Sequence, residues 1–217
     1  MYQSFLALAL TVISFAGISQ EEGNYILVIN NDSILINLDG TVDYKTPKGE
    51  ALSIQLTQSD IQTYSDEMIS FRHDKSLNVS NTMIEEGIEQ CMILRSTGNG
   101  FMVQKYETFD PTGFVDIMVN ELTKESVNYG YTKSEKPFKI KLRSGQTLEG
   151  VQATLKYKGE KEIYTVATYG EKDEGVLVVT MLLNDDFQED KKIIDLFLET
   201  LEIKLWCEYV FLSLIMD

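Results

Sequence analysis

Histidine is nearly absent from this chain of 217 residues, and its single copy, His73, rules out a metal site built from several histidines of one chain. Catalytic signatures are missing as well. There is no Gly-x-Ser-x-Gly elbow, no glycine-rich loop to cradle phosphate and no Ser-x-x-Lys motif. Positive charge is scarce: 19 Lys and Arg stand against 34 Asp and Glu, a formal net charge of −15. Such a chain repels phosphate backbones and anionic headgroups, which makes nucleic acid and bare membrane surface poor partners. The acidity is read as a solvated surface that keeps the protein soluble, not as a docking face. No repeat or low-complexity tract is present, and 43% hydrophobic with 24% charged residues is a globular, not a disordered, composition.

Charge is also missing from one place in particular. The first nineteen residues carry no charged side chain, and residues 5–15 form an apolar run. That run is shorter than the about 20 residues a membrane-spanning helix needs, but it suits a secretory signal peptide. Gly17 and Ser19 place small residues before a cut that would make Gln20 the new N-terminus, with Ser14 and Ala16 as a second option. No Lys or Arg precedes the run, so its positive end is the terminal amine alone. The remainder, about 198 residues, is enough for one ample domain or a domain with a small appendage. No cysteine follows the leader, so no bacterial lipoprotein attachment is expected and the mature chain carries no span. An oxidising destination allows a Cys91–Cys207 disulfide, while the apolar strand pattern around Cys91 favours a free buried thiol. Asn31-Asp32-Ser33 and Asn78-Val79-Ser80 match the glycosylation sequon, which has meaning only in a host that glycosylates.

Turn residues cut the chain into short strands. Residues 25–29, 34–38 and 52–56 read as strands of a small N-terminal β-meander, with Asp39-Gly40 as a two-residue hairpin turn and Pro47-Lys48-Gly49 as another. Residues 58–66 are polar and read as a junction. Strands are then expected at 68–71, 77–79, 88–94 and 101–106, the last two joined by the tight turn Gly98-Asn99-Gly100. Asp110 suits a helix cap and Pro111 the first helical position, and Val115, Met118, Val119 and Leu122 form one apolar stripe up to Asn128-Tyr129-Gly130. Four strands follow at 138–142, 148–157, 163–169 and 176–183, with Val176-Leu177-Val178-Val179 marking a central strand covered on both faces. Asp186 with Glu189 resembles a capping box for a closing helix over 186–203, whose stripe is Ile193, Ile194, Phe197, Leu198 and Leu201.

This order predicts an α+β fold: an antiparallel sheet flanked by two helices, with the N-terminal β-meander beside it. With Met68-Ile69-Ser70-Phe71-Arg72-His73-Asp74 as opening strand, Gly150-Val151-Gln152-Ala153 leading into the late strands, and the closing helix, residues 65–203 resemble the PsbP/Mog1-like α/β/α sandwich. Where that family usually has Tyr-Pro and a nearby Trp, this chain has His73-Asp74 and no Trp nearby. Domains similar to it serve as extrinsic photosystem subunits, nuclear-transport accessory proteins and secreted bacterial proteins. The resemblance therefore implies binding or assembly and not catalysis. The expected division is 1–19 signal peptide, 20–64 meander, 65–204 α+β domain and 205–217 apolar tail.

Cys91 with His73 is the one nucleophile–base pair available, and it is read as a structural thiol and a strand-end histidine beside Asp74. Asp185, Asp186, Glu189 and Asp190 lack the alternating ligands and turn glycine of a calcium loop, and capping already accounts for Asp186. Tyr106, Tyr129, Tyr131, Tyr157, Tyr164 and Tyr169 are read as core or sheet-face residues, some bordering a partner groove beside the helix after Pro111. No residue is assigned as catalytic, cofactor-binding or metal-ligating. After Lys204 the chain is almost wholly apolar, which suits folding back on the core, an altered reading frame, or an oligomer or membrane contact. The expected function is a secreted or periplasmic non-catalytic binding or assembly module whose partner is a protein or small ligand. The alternatives are a thiol-dependent hydrolase using Cys91 and His73, and an envelope-associated structural interaction protein held by its tail. Export with cleavage after Ser19 is expected, so N-terminal sequencing of the exported protein should begin at Gln20; retention of Met1 on it would contradict cleavage.

Overall fold

Turn chemistry shapes the N-terminal part. A computed structural model describes residues 25–183 and 188–205, and these fall into two units that part between Gln58 and Ser59. The expected signal peptide 1–19, Asp185-Asp186, Cys207 and residues 206–217 of the expected tail lie outside the described residues. In the first unit, strand β1 (Tyr25–Ile29) pairs antiparallel with β2 (Asp32–Ile36), and β3 (Thr41–Lys45) with β4 (Ala51–Gln55). These are two separate two-stranded sheets, which corrects the expected meander. At the Asp39-Gly40 step only Asp39 takes a positive φ, 59°, so the turn is not the two-residue hairpin type. Its backbone bonds instead to Leu56: the Asp39 amide donates to the Leu56 carbonyl at 2.7 Å and the Leu56 amide to the Gly40 carbonyl at 3.1 Å. The Tyr44 hydroxyl donates to Asp32 at 2.7 Å and ties one hairpin to the other.

The second unit is mostly strand. It contains β5 (Ile61–Ser65), β6 (Ile69–Asp74), β7 (Ser80–Glu85), β8 (Ile88–Leu94) and β9 (Gly100–Tyr106). A 3-10 turn, Pro111–Phe114, then runs into α1 (Val115–Tyr129), followed by β10 (Thr132–Lys141), β11 (Thr147–Tyr157), β12 (Glu160–Glu171) and β13 (Glu174–Leu183). Helix α2 (Gln188–Thr200) and the short β14 (Glu202–Ile203) close it. Seven strands form one antiparallel sheet in the order β10-β11-β12-β13-β9-β8-β7, and β14-β6-β5 form a second sheet of three.

The α+β expectation of a sheet flanked by two helices is thereby corrected: 54% of the described residues are strand and 18% helix. The physical reason lies in segments with polar faces. Residues 61–65, read as junction, and 80–85, between the strands expected at 77–79 and 88–94, are strands, and β10 starts six residues before the expected 138. A half-exposed strand needs few apolar residues, because its ladder bonds do not depend on side-chain type. The closing helix also stops early. The Thr200 hydroxyl accepts from the Arg72 amide at 2.9 Å and bonds back to the Leu196 carbonyl at 2.6 Å, and the chain turns into β14, where Ile203 pairs with Ile69.

Strand β13 lies in the middle of the large sheet and divides the core by alternation. Val176 and Val178 join an apolar cluster with Phe71, Cys91, Phe101, Val103, Phe197 and Leu201, whereas Leu177 and Val179 join another with Val119, Leu155 and Val166. In the first, Phe101 and Phe197 stack at 3.7 Å between centroids and Phe71 meets both edge-on at 5.1 and 5.3 Å. Fully burying such a side chain is worth roughly 2–3 kcal/mol. In the second, Asp110 caps the amide of Thr112 at 2.9 Å, as its position before Pro111 predicts. The paired glycines Gly170 and Gly175 let this turn sit directly on the sheet, since a Cβ at either would collide with Asp110 or the Pro111 ring.

The boundary at Ser59 has a measurable consequence. A fragment starting at Ser59 should unfold cooperatively in a thermal scan, whereas one starting at Met68, which lacks β5 and Asp66, should unfold at a clearly lower temperature or without a transition. Equal behaviour of the two fragments would contradict the assignment of β5 to this unit.

Candidate functional site

A polar–apolar groove lies beside α2. Its volume is about 260 Å³, and its apolar walls are Ile61 of β5, Leu77 of the loop after β6, and Ile193 and Leu196 of α2. His73, Asp74, Ser76, Arg95, Glu189 and Lys192 supply the polar groups. Strand β6 carries His73 inward by alternation with Ile69 and Phe71, which leaves it 7% exposed with its ring edge-on to Phe71. Its Nδ1 lies 2.9 Å from the Asp74 carbonyl oxygen. The Asp74 carboxylate accepts from the Ser76 hydroxyl at 2.6 Å and amide at 2.8 Å, and these bonds hold its carboxyl below the ordinary value.

The groove's other side is held by a buried carboxylate. Asp190, 4% exposed in the first turn of α2, accepts from Asn99 Nδ2 at 2.6 Å and Thr97 Oγ1 at 2.9 Å, and Arg95 Nε stands 3.2 Å away. Asn99 in turn accepts from the Leu183 amide at 2.5 Å. This network ties α2 to the turn between β8 and β9, the Gly98-Asn99-Gly100 hairpin, and so sets where Arg95 meets the groove. Glu189 pairs with Lys192 at 2.6 Å on the rim. Of the acidic set considered for calcium, Glu189 and Asp190 are thus engaged by protein partners. Among the described residues no group of three or more His, Cys, Asp or Glu is placed to hold a metal.

Cys91 is elsewhere. It is fully buried in the first apolar cluster, and burial pushes its thiol up to about 12 against the opposing charge of Lys105. No hydrogen bond joins it to His73 among the described residues, so a thiolate nucleophile with a histidine base is not assembled here. The tyrosines divide: Tyr106 and Tyr164 are buried, Tyr169 borders the first cluster, and Tyr129, Tyr131 and Tyr157 pack on one another near the end of α1. A wider depression of about 410 Å³ between the 3-10 turn and β11–β12 offers one carboxylate, Glu149, already paired with Lys139 at 2.5 Å.

Sequence reasoning missed a second polar constellation. Lys105 follows Phe101 and Val103 at strand spacing on the inward face of β9 and is 5% exposed. Its ammonium meets Asp66 at 2.8 Å and Glu89 at 2.5 Å. Burial alone would lower its pKa, but these two carboxylates hold it above the ordinary lysine value. Burial alone would likewise raise Asp66, but the bonds from Lys105, the Ile69 amide and the Tyr64 hydroxyl hold it below the ordinary range. The stability contributed by Asp66 is therefore present above the ordinary carboxylate pKa and lost as pH falls through its lowered value. That of Lys105 is present below the ordinary lysine pKa and lost as pH rises through its raised one. The available signal was the inward lysine itself, at i+2 from Val103 in an apolar strand pattern.

Among the described residues no helix is long and apolar enough to cross a membrane. Neither a protein-family model nor a curated relative matches this chain.

Proposed function

We propose that the second unit is a non-catalytic binding module of an exported protein, and that it takes a small amphipathic ligand into the groove beside α2. The observation that carries this reading is the convergence of four apolar side chains with His73, Arg95, Glu189 and Lys192 around one cavity. Ligand sites are concave, mostly apolar and furnished with a few placed polar groups. At about 260 Å³ the cavity is at the small end of such sites, which suits a molecule of one or two rings or a short chain. Its charges are matched in local pairs, Arg95 with Asp190 and Lys192 with Glu189, which favours a neutral or zwitterionic ligand over a polyanion. The charge-free apolar leader supports export.

The test uses saturation-transfer NMR with indole, phenol and hexan-1-ol on the wild-type chain and on Leu77→Trp, which fills the groove from a half-buried loop position. Binding to the wild type and a loss of tenfold or more in the folded variant is expected. Probes that bind neither protein, or both equally, would overturn the assignment of the site.

A further inference from the structure

We infer that this groove selects ligands that donate a hydrogen bond, and that His73 Nε2 is the acceptor. The inference rests on the groove being the binding site. A backbone carbonyl can only accept, so the 2.9 Å contact between Nδ1 and the Asp74 carbonyl requires the proton on Nδ1. In the neutral imidazole this leaves the Nε2 lone pair unspent. The ring cannot easily turn away: it is 7% exposed, anchored by that bond, and packed edge-on against Phe71.

Nε2 has no hydrogen-bond partner among the described residues, yet the only buried side-chain polar atom left unpaired among them is Gln146 Oε1. Nε2 is therefore not sealed in the core, and the groove is the cavity that His73 lines. The carboxylate acceptors on the rim are already used, Asp74 by Ser76 and Glu189 by Lys192. A ligand with a hydroxyl or N–H beside an apolar body satisfies Nε2 while its body meets Leu77 and Leu196. An isostere without the donor leaves Nε2 desolvated and unpaired, a penalty that corresponds to a loss in affinity of about tenfold or more.

His73 is the sole histidine, so a long-range proton–nitrogen correlation spectrum of the full chain contains one imidazole side chain. In its neutral form the ring should show a protonated Nδ1 and an unprotonated Nε2; the opposite tautomer would overturn the inference. Indole and benzofuran have nearly the same shape and differ in the N–H. Indole is expected to bind about tenfold or more tighter and to shift the Nε2 resonance, and His73→Phe should remove the preference while retaining apolar binding. Equal affinity of the two probes for the wild type would sink the donor selectivity but leave the groove as a site. Failure of both to bind would remove the site itself.

Discussion

A buried ammonium is the constraint on which the second unit depends. Lys105 sits where the apolar pattern of β9 calls for a hydrophobic residue, and its charge must be met inside the fold. Asp66 meets it from the β5–β6 turn while accepting the amides of Met68 and Ile69 at 2.9 and 2.8 Å, so the same carboxylate shapes the turn and docks it. Lys204 donates to the Ser65 hydroxyl at 2.7 Å and the Asp66 carbonyl at 2.9 Å and draws the end of β14 to the same point. Charge pairs of this kind contribute little net stability against an apolar replacement, but removing one partner typically costs about 3–5 kcal/mol. Their use here is positional. The pair of Asp66 with Lys105 fixes where the turn of the small sheet meets the large one.

That placement governs the groove. Once Asp66 fixes the turn, β6 delivers Phe71 into the aromatic triad with Phe101 and Phe197, and His73, two residues on, emerges at the edge of the same cluster. Helix α2 is located independently by Asp190, whose partners Thr97 and Asn99 belong to the β8–β9 turn. The groove is the gap between two separately pinned elements, lined by the apolar flanks that neither fully covers.

Much of this was legible where local chemistry is strong. The unbroken apolar run 176–179 identified a strand buried on both faces, and Asp110-Pro111 announced the start of the α1 segment. What failed did so for physical reasons. Asp39-Gly40 has hairpin composition, but Leu56 claims its backbone groups. Strands β5 and β7 expose much of their surface and carry no apolar alternation to reveal them. Helix-like spacing past Leu201 yields to pairing of Ile203 with Ile69. The site was half visible: His73 stood out as the only histidine, but its pairing with Cys91 came from scarcity, not geometry. The groove depends on Arg95 and Asp190, which stand far apart in the sequence, belong to no motif and are joined only by the fold.

The most direct test of the central constraint is a double-mutant cycle of Lys105→Met and Asp66→Asn, followed by urea unfolding of the second unit's transition at neutral pH. A coupling of about 2 kcal/mol or more is expected, because Lys105→Met leaves the Asp66 carboxylate without its cation and Asp66→Asn leaves the buried ammonium with Glu89 alone. The coupling should shrink in acid, as Asp66 is protonated below its lowered pKa. Additive effects at neutral pH, with no coupling, would contradict the account.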